Sequence, residues 1–207
     1  KEQWDEAQEI MKKILDDLDV KYTIGIGEAA FYGPKLDIQI KNVFGKEDTL
    51  ITIQIDQMLA EKFGMEYVDK DGTTKNPYII HRTSIGCYER TLAYLIEKYA
   101  GAFPLWLAPE QVKVLSLTER NNDYAHKIRE ELLAKGLRAE EDLRNEKIGY
   151  KIREALSMKI PYLIIVGDEE ENNQTISIRG RGYENKTGLK LSDFIDRLED
   201  EIKTKKI

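Results

Sequence analysis

Two kinds of hydrophobic pattern occur in the first half of the chain. Over residues 2–18 the apolar positions recur at steps of three and four, the spacing of one face of an amphipathic helix. Residues 36–41 and 51–56 instead alternate apolar with polar side chains, which is typical of strands with one polar face. Residues 86–99 return to helical spacing. We therefore predict two helices and an antiparallel sheet whose polar face is either a wet surface or the floor of a pocket.

The second half of the chain alternates strand patterns with helix patterns. The predicted strands cover residues 112–117, 162–166 and 175–179, and the predicted helices cover residues 123–134 and 145–156 and a last segment that Ser192 opens. Asn145 is expected to cap the second of these helices. Because residues 162–166 are continuously apolar, the order predicts a compact α/β domain with a mostly parallel sheet.

A domain boundary is predicted between the two halves. Pro104 and Pro109 bracket a short apolar stretch there, and prolines often mark such junctions. We place the boundary so that the domains are residues 1–106 and 107–207.

Composition narrows the class of protein. The chain has 207 residues, of which 41% are hydrophobic and 34% charged, so it can build a core. Its longest apolar runs fall far short of the roughly 20 residues of a membrane span. No secretory signal is visible, and we expect a cytoplasmic protein without membrane contact. A single cysteine, Cys87, excludes an internal disulfide.

Charge is distributed unevenly between the halves. Residues 1–110 carry 13 lysines and arginines against 19 acidic residues, whereas residues 111–207 carry 19 of each. The second half is therefore not a general binder of polyanions, although its balance leaves room for a selective one. The common phosphate-loop, dinucleotide and nucleophile motifs are absent. The residues alone indicate a two-domain α/β protein with a possible polar pocket over the first sheet.

Four stretches of the chain carry a family resemblance. They are residues 27–35 (GEAAFYGPK), 52–56 (TIQID), 81–90 (HRTSIGCYER) and 142–153 (DLRNEKIGYKIR). Together they resemble threonyl-tRNA synthetase, from late in the catalytic domain to the anticodon-binding domain. The resemblance implies the end of a class II antiparallel-sheet catalytic domain with its third signature motif, followed by a compact α/β anticodon-binding domain. In that family the first two class II motifs lie upstream of Lys1, so we expect a fragment that is inactive alone.

The resemblance assigns roles to two residues of the third stretch. Arg90 would be the catalytic arginine that contacts adenine and phosphate, whereas spacing alone suggests an ion pair with Glu89 or Glu97. His81 would be the downstream ligand of a Zn²⁺ ion whose other two ligands lie upstream. Such an ion could hold the amino and hydroxyl groups of threonine and so reject valine. The alternative for His81 is an ordinary histidine satisfied at a strand end.

Other residues would line the substrate and ATP pocket. Tyr32, Lys35, Gln54 and Cys87 correspond to this pocket in the family, and Lys35 shares a predicted strand face with Asp37 and Gln39. The sequence departs from the family pattern at three positions, Ile51, Gln57 and Cys87, where a small residue, an aromatic residue and a serine are usual. These changes concern the shapes of the pockets.

The resemblance also implies tRNA recognition in the second domain. Asn145, Glu170 and Arg179 match positions that read anticodon bases, and such side chains suit the edges of unstacked bases. The whole enzyme would activate threonine with ATP and Mg²⁺, transfer it to threonine tRNA and form a homodimer. The alternative is a non-catalytic tRNA-binding accessory protein. A prolyl synthetase shares the second-domain architecture, but the HRTS string argues against it.

Overall fold

The structure, a computed structural model, describes residues 2–182 and 185–207, and the chain divides into two units, Lys1–Tyr94 and Leu95–Ile207. The elements that begin in the first unit are α1 (Glu2–Asp17), β1 (Lys35–Lys41), β2 (Glu47–Asp56), α2 (Leu59–Lys62), β3 (Tyr67–Val68), β4 (Thr74–Lys75), β5 (Ile79–Arg82) and α3 (Tyr88–Tyr99). The two long helices and the two alternating strands match the predicted elements within a few residues.

An antiparallel sheet of order β1-β2-β5 forms the centre of the first unit. The prediction of an antiparallel sheet is therefore confirmed. A β-bulge lies between Ile38 and Gln39, opposite the start of β2. Gly33 lets the preceding chain pass close to β2, because a Cβ atom there would lie 1.7 Å from the carbonyl oxygen of Ile55.

The apolar side of this sheet is only partly covered by its own unit. Among the described residues of the unit, the buried hydrophobic side chains are Ala7 and Ala60. Ile38 and Ile80 of the sheet are 46% and 59% exposed. The sequence pattern predicted a core on this side, and the exposure of Ile38 and Ile80 shows that it is covered only in part.

The second unit contains the remaining strands and α-helices. They are β6 (Val112–Ser116), α4 (Asn122–Ala134), β7 (Ala139–Asp142), α5 (Ile148–Ser157), β8 (Tyr162–Val166), α6 (Asp168–Asn173), β9 (Ile176–Gly180), β10 (Lys186–Leu189) and α7 (Leu191–Lys203). The core lies on both faces of one sheet: α4 and α7 pack on one face and α5 on the other. Among the described residues, no helix is both long and apolar enough to cross a membrane.

The sheet of the second unit is mixed. Its order is β10-β9-β8-β6-β7, in which β6 pairs in parallel with β7 and β8, whereas β9 is antiparallel to β8 and β10. The α/β prediction is confirmed, with the parallel part limited to three strands. A parallel crossover needs a dozen or more residues, and only residues 167–175 join β8 to β9, so the chain reverses there.

Two predicted details of this unit come out differently. Helix α5 begins at Ile148 with Lys147 as its N-cap residue, so Asn145 lies outside the helix and the expectation that it caps the helix is wrong. Leu105, just before the predicted domain boundary, is buried in the core of the second unit. A boundary between residues 106 and 107 stays a prediction.

Candidate functional site

Three of the candidate pocket residues lie in one row across the first sheet. Lys35 of β1 pairs with Gln54 of β2, and Gln54 pairs with His81 of β5, so the three side chains share a face. Tyr32 joins them from the preceding loop: its hydroxyl donates to Gln54 Oε1 at 2.6 Å, and its ring centroid lies 5.8 Å from that of His81. The structure therefore brings Tyr32, Lys35, Gln54 and His81 together on the polar face.

Asp56 is the buried anchor of this face. Its Oδ1 accepts hydrogen bonds from the backbone N–H groups of Met58 and Leu59, both at 2.9 Å, and its Oδ2 lies 2.9 Å from His81 Nε2. Burial raises the pKa of Asp56, but the hydrogen bonds from Leu59, His81 and Met58 outweigh it and hold this pKa below its ordinary value. A charged carboxylate thus orients the His81 ring. Sequence reasoning missed Asp56, although an aspartate commonly accepts backbone N–H groups two and three residues further along the chain.

Among the described residues, Asp56 is the acidic partner of His81, and no complete metal site surrounds the ring. Within residues 2–182 and 185–207, no three histidine, cysteine or acidic side chains are grouped so that they could hold a metal ion. The contact of His81 with Asp56 suits a metal ligand oriented by a carboxylate, and it equally suits a histidine satisfied within a strand. The described residues therefore do not fit a zinc ion by themselves.

Lys35 and Thr52 converge on a second carboxylate of the polar face. The Lys35 ammonium forms an ion pair with Asp37, and the Thr52 hydroxyl donates to Asp37 Oδ1 at 2.8 Å. Asp37 and Thr52 are paired across β1 and β2, so they stand beside the row of Lys35 and Gln54. The polar face thus carries a connected set of donors and acceptors.

Arg90 and Cys87 lie near the start of β2, away from that row. The Arg90 guanidinium donates from Nη1 to the carbonyl oxygen of Thr49 at 2.9 Å, and its backbone N–H donates to Cys87 Sγ at 3.4 Å. Among the described residues, Arg90 makes no ion pair with Glu89 or Glu97, so the alternative that spacing suggested is wrong. Thr49 precedes Gln54 by five residues, which places the contact roughly 15 Å along the strand from the row.

In the second unit, Glu170 lies in α6, and its carboxylate is hydrogen-bonded beside the end of β8. Its Oε2 accepts from the Gly167 backbone N–H at 3.0 Å, and its Oε1 accepts from the Ser177 hydroxyl at 2.6 Å. Glu170 belongs to the acidic run that forms the first turn of α6. Glu170 also lines a groove of about 410 Å³. The other lining residues are Leu117, Thr118, Ile165, Gly167, Asp168, Glu169 and Ser177.

Among the described residues, neither Arg179 nor Asn145 lines this groove, but Arg179 lies on the same strand as Ser177, which does. Ile176 and Ile178 of β9 are buried on the side of α4 and α7, so Ser177 and Arg179 share the opposite face, roughly 7 Å apart along the strand. Asn145 is exposed in the loop after β7. In the sheet, β7 lies three strands from β9, so the two strands are roughly 14 Å apart. Arg179 is thus linked to Glu170 only through Ser177 on the same strand face, and Asn145 lies beyond the edge strand β7.

The loop that carries Asn145 is anchored by charged groups. Arg144 donates to both carboxylate oxygens of Asp142, from Nε at 2.9 Å and from Nη2 at 2.7 Å, and it also forms an ion pair with Glu154. These hydrogen bonds hold the pKa of Asp142 below its ordinary value, although burial opposes them. Lys151 of α5 is buried beneath the same loop. Its position three residues after Ile148 is the sequence signal that it lies on the inner face of the helix.

Two different families match the two parts of the chain. Residues 1–99 match the family described as tRNA synthetase class II core domain (G, H, P, S and T), and residues 111–201 match the anticodon binding domain family. A threonine–tRNA ligase of Clostridium perfringens is 58% identical over 97% of this chain and 31% of its own length. One of Clostridium botulinum is 56% identical over 99% of this chain and 32% of its own.

A solved structure has the same fold. The crystal structure of the RNA binding domain of threonyl-tRNA synthetase from Cryptosporidium parvum Iowa II superimposes with a TM-score of 0.85 and 32% identity, over 96% of this chain and 50% of that chain. An antiparallel core segment followed by an anticodon-binding fold defines a part of a class II aminoacyl-tRNA synthetase. Within that class, the curated relatives and the solved structure that the chain resembles are threonyl-tRNA synthetases. The chain spans about a third of the length of the curated relatives it matches.

Proposed function

We propose that the chain is part of a threonine–tRNA ligase, comprising the end of the catalytic domain and the anticodon-binding domain. The observation that carries this proposal is 58% identity to a threonine–tRNA ligase across 97% of the chain, covering both units. The whole enzyme would join threonine to ATP with Mg²⁺ and pass the threonyl group to threonine tRNA, in the cytoplasm and as a homodimer.

The polar face of the first sheet is the proposed amino-acid pocket. Tyr32, Lys35 and Gln54 offer a hydroxyl, an ammonium and an amide from one connected surface, which suits the carboxylate and hydroxyl of threonine. His81, oriented by Asp56, would be one of three ligands of a Zn²⁺ ion that binds the amino and hydroxyl groups. The other two ligands would come from outside the described residues, so no step of the reaction is derived through the ion.

Arg90 is the proposed catalytic residue for adenylate formation. Its guanidinium is exposed and uses one donor on the Thr49 carbonyl, so further N–H donors are available for phosphate oxygens. Cys87 lies beside its backbone. In the whole enzyme, Arg90→Ala should slow ATP–pyrophosphate exchange by raising its activation barrier by about 2 to 4 kcal/mol, while the fold persists. Wild-type exchange in this variant would contradict the role.

The second unit is the proposed reader of the anticodon. Glu170 is fixed by two donors, one of which is Ser177 on the same strand face as Arg179, and Asn145 is exposed in the loop after β7. With acidic and basic side chains balanced after residue 110, discrimination must come from base edges more than from phosphate attraction.

Titration of two RNA stem-loops tests this reading. The 207-residue chain should prefer the threonine anticodon stem-loop over a scrambled loop, and Arg179→Ala should cost about 1 to 3 kcal/mol for the cognate loop alone. Arg129→Ala is the matched control, since Arg129 lies on α4, on the other face of the sheet. Equal losses for both loops would reduce Arg179 to a phosphate contact.

A non-catalytic accessory protein that binds tRNA is the second candidate. The separate anticodon-binding match over residues 111–201 would suit it equally well. The connected polar face of Tyr32, Lys35, Gln54 and His81 favours the ligase, because an accessory protein has no need of an amino-acid pocket. Pyrophosphate exchange by the longer protein distinguishes the two.

A further inference from the structure

A buried lysine ties together two strand ends in the second unit. Lys151 is 2% exposed, and its ammonium donates to the carbonyl oxygens of Ser116 and Asp142, both at 3.0 Å. A longer contact of 3.4 Å reaches the Ser116 hydroxyl. Ser116 ends β6 and Asp142 ends β7, so one cation joins the carboxyl ends of two parallel strands.

Each of these strand ends leads into a loop at the proposed RNA surface. The chain after Ser116 supplies Leu117 and Thr118 to the groove that Glu170 lines. The chain after Asp142 carries Asn145. The first loop is also tied to α6, because the Asn121 amide donates to Asp168 at 3.0 Å and to Glu171 at 2.9 Å. Lys151 therefore adds a further tie between two parts of that surface that meet through the pairing of β6 with β7.

Core stability alone does not call for a lysine at this position. A buried ammonium whose acceptors are mainly neutral carbonyls loses its hydration, and an apolar side chain of similar shape would often serve a core as well or better. What the ammonium provides is directed hydrogen bonding: two N–H bonds hold carbonyl groups of the two strands at a fixed separation, and a third contact reaches the Ser116 hydroxyl. An apolar side chain at this position could not donate these hydrogen bonds to the two carbonyl groups.

We propose that Lys151 is a positioning residue for RNA recognition, which fixes residues 117–121 and 143–147 in the arrangement that reads a single-stranded RNA loop. The inference rests on the proposed function of the second unit. Lys151 does not itself touch the RNA, since it is buried beneath the strand ends.

The test compares Lys151→Met with wild type in the 207-residue chain. Lys127→Met, at an exposed site of α4, is the matched control that removes the same charge. Amide hydrogen exchange by NMR reports on the loops through the hydrogen-bonded N–H groups of Leu117, Asn121 and Arg144. The same samples are titrated with the threonine anticodon stem-loop.

In Lys151→Met the loop amides should exchange about tenfold faster while the amides of β8 keep their protection. Binding of the stem-loop should weaken by about fivefold, the effect of roughly 1 kcal/mol, and Lys127→Met should change neither readout. Unchanged loop exchange, or equal losses of binding in the two variants, would overturn the role of Lys151.

Two further outcomes are decisive. A wild-type chain that does not bind the stem-loop would overturn the proposed function itself, and the positioning role with it. If Lys151→Met loses the protection of β8, Lys151→Gln repeats the test with a neutral amide donor. Loss of β8 protection in that variant too would make Lys151 a general core residue and reject the inference.

Discussion

Removal of the Asp56 side chain should destabilise the first unit specifically. The carboxylate is fully buried and accepts two backbone N–H groups at 2.9 Å, in addition to its contact with His81. Hydrogen bonds to a charged group contribute about 1.5 to 3 kcal/mol each. Because Met58 and Leu59 are only half-buried, water can replace part of the loss in Asp56→Ala. We expect the free energy of unfolding to fall by about 2 to 4 kcal/mol.

The conservative variant Asp56→Asn separates the capping role from the charge. Its amide oxygen can still accept both backbone N–H groups, although neutral hydrogen bonds are roughly half as strong as those to a carboxylate. We therefore expect a loss of about 1 to 2 kcal/mol, clearly smaller than that of Asp56→Ala.

The two tryptophans allow each unit to be followed separately. Trp4 lies in the first unit and Trp106 in the second, so a Trp106→Phe background reports urea unfolding of the first unit by fluorescence, and a Trp4→Phe background reports that of the second. With a slope of about 1 to 2 kcal/mol per molar urea, Asp56→Ala should lower the Trp4 midpoint by about 2 M. A shift below about 0.5 M, or an equal shift of the Trp106 transition, would refute the reasoning.

Three further predictions use the same chain. Leu198→Ala, which empties a fully buried position of α7, should cost the second unit about 3 kcal/mol by urea unfolding, whereas Leu133→Ala at an exposed site of α4 should cost under about 0.5. The Asp142 carboxylate has a pKa held down by Arg144, so its contribution is present at neutral pH and lost as pH falls through that lowered pKa; Asp142→Asn should flatten the fall of the urea midpoint between pH 6 and 3. Metal analysis of the purified chain should find well under one equivalent of zinc, and tight stoichiometric zinc that disappears in His81→Ala would contradict this.

The long helices and the alternating strands could be predicted because periodicity is a local property of the sequence. β7 and β10 were missed, since residues 139–142 and 186–189 are short and carry little alternation. Asn145 is a favourable capping residue by type, but α5 begins only after Lys147, and the exact first turn of a helix depends on its packing.

The candidate site was predictable in its parts and not in its arrangement. Strand alternation placed Lys35 and Gln54 on polar faces, and only the pairing register puts them in one row with His81. That register depends on contacts distant in sequence. Asp56 and Lys151 were missed for a related reason: the role of a buried charge depends on which backbone groups the fold brings to it.

The row of Lys35, Gln54 and His81 in the proposed pocket is aligned by backbone pairing, so it depends on strand length more than on side-chain type. Loss of one residue within β2 would slip the pairing and turn Gln54 toward the opposite side of the sheet, because neighbouring strand positions face opposite ways. Extra residues in the turn at 42–46 would leave every pair of the row in place. Length variation in such chains should therefore concentrate at the strand connections, and libraries aimed at this pocket should vary residue types while keeping each strand's length constant.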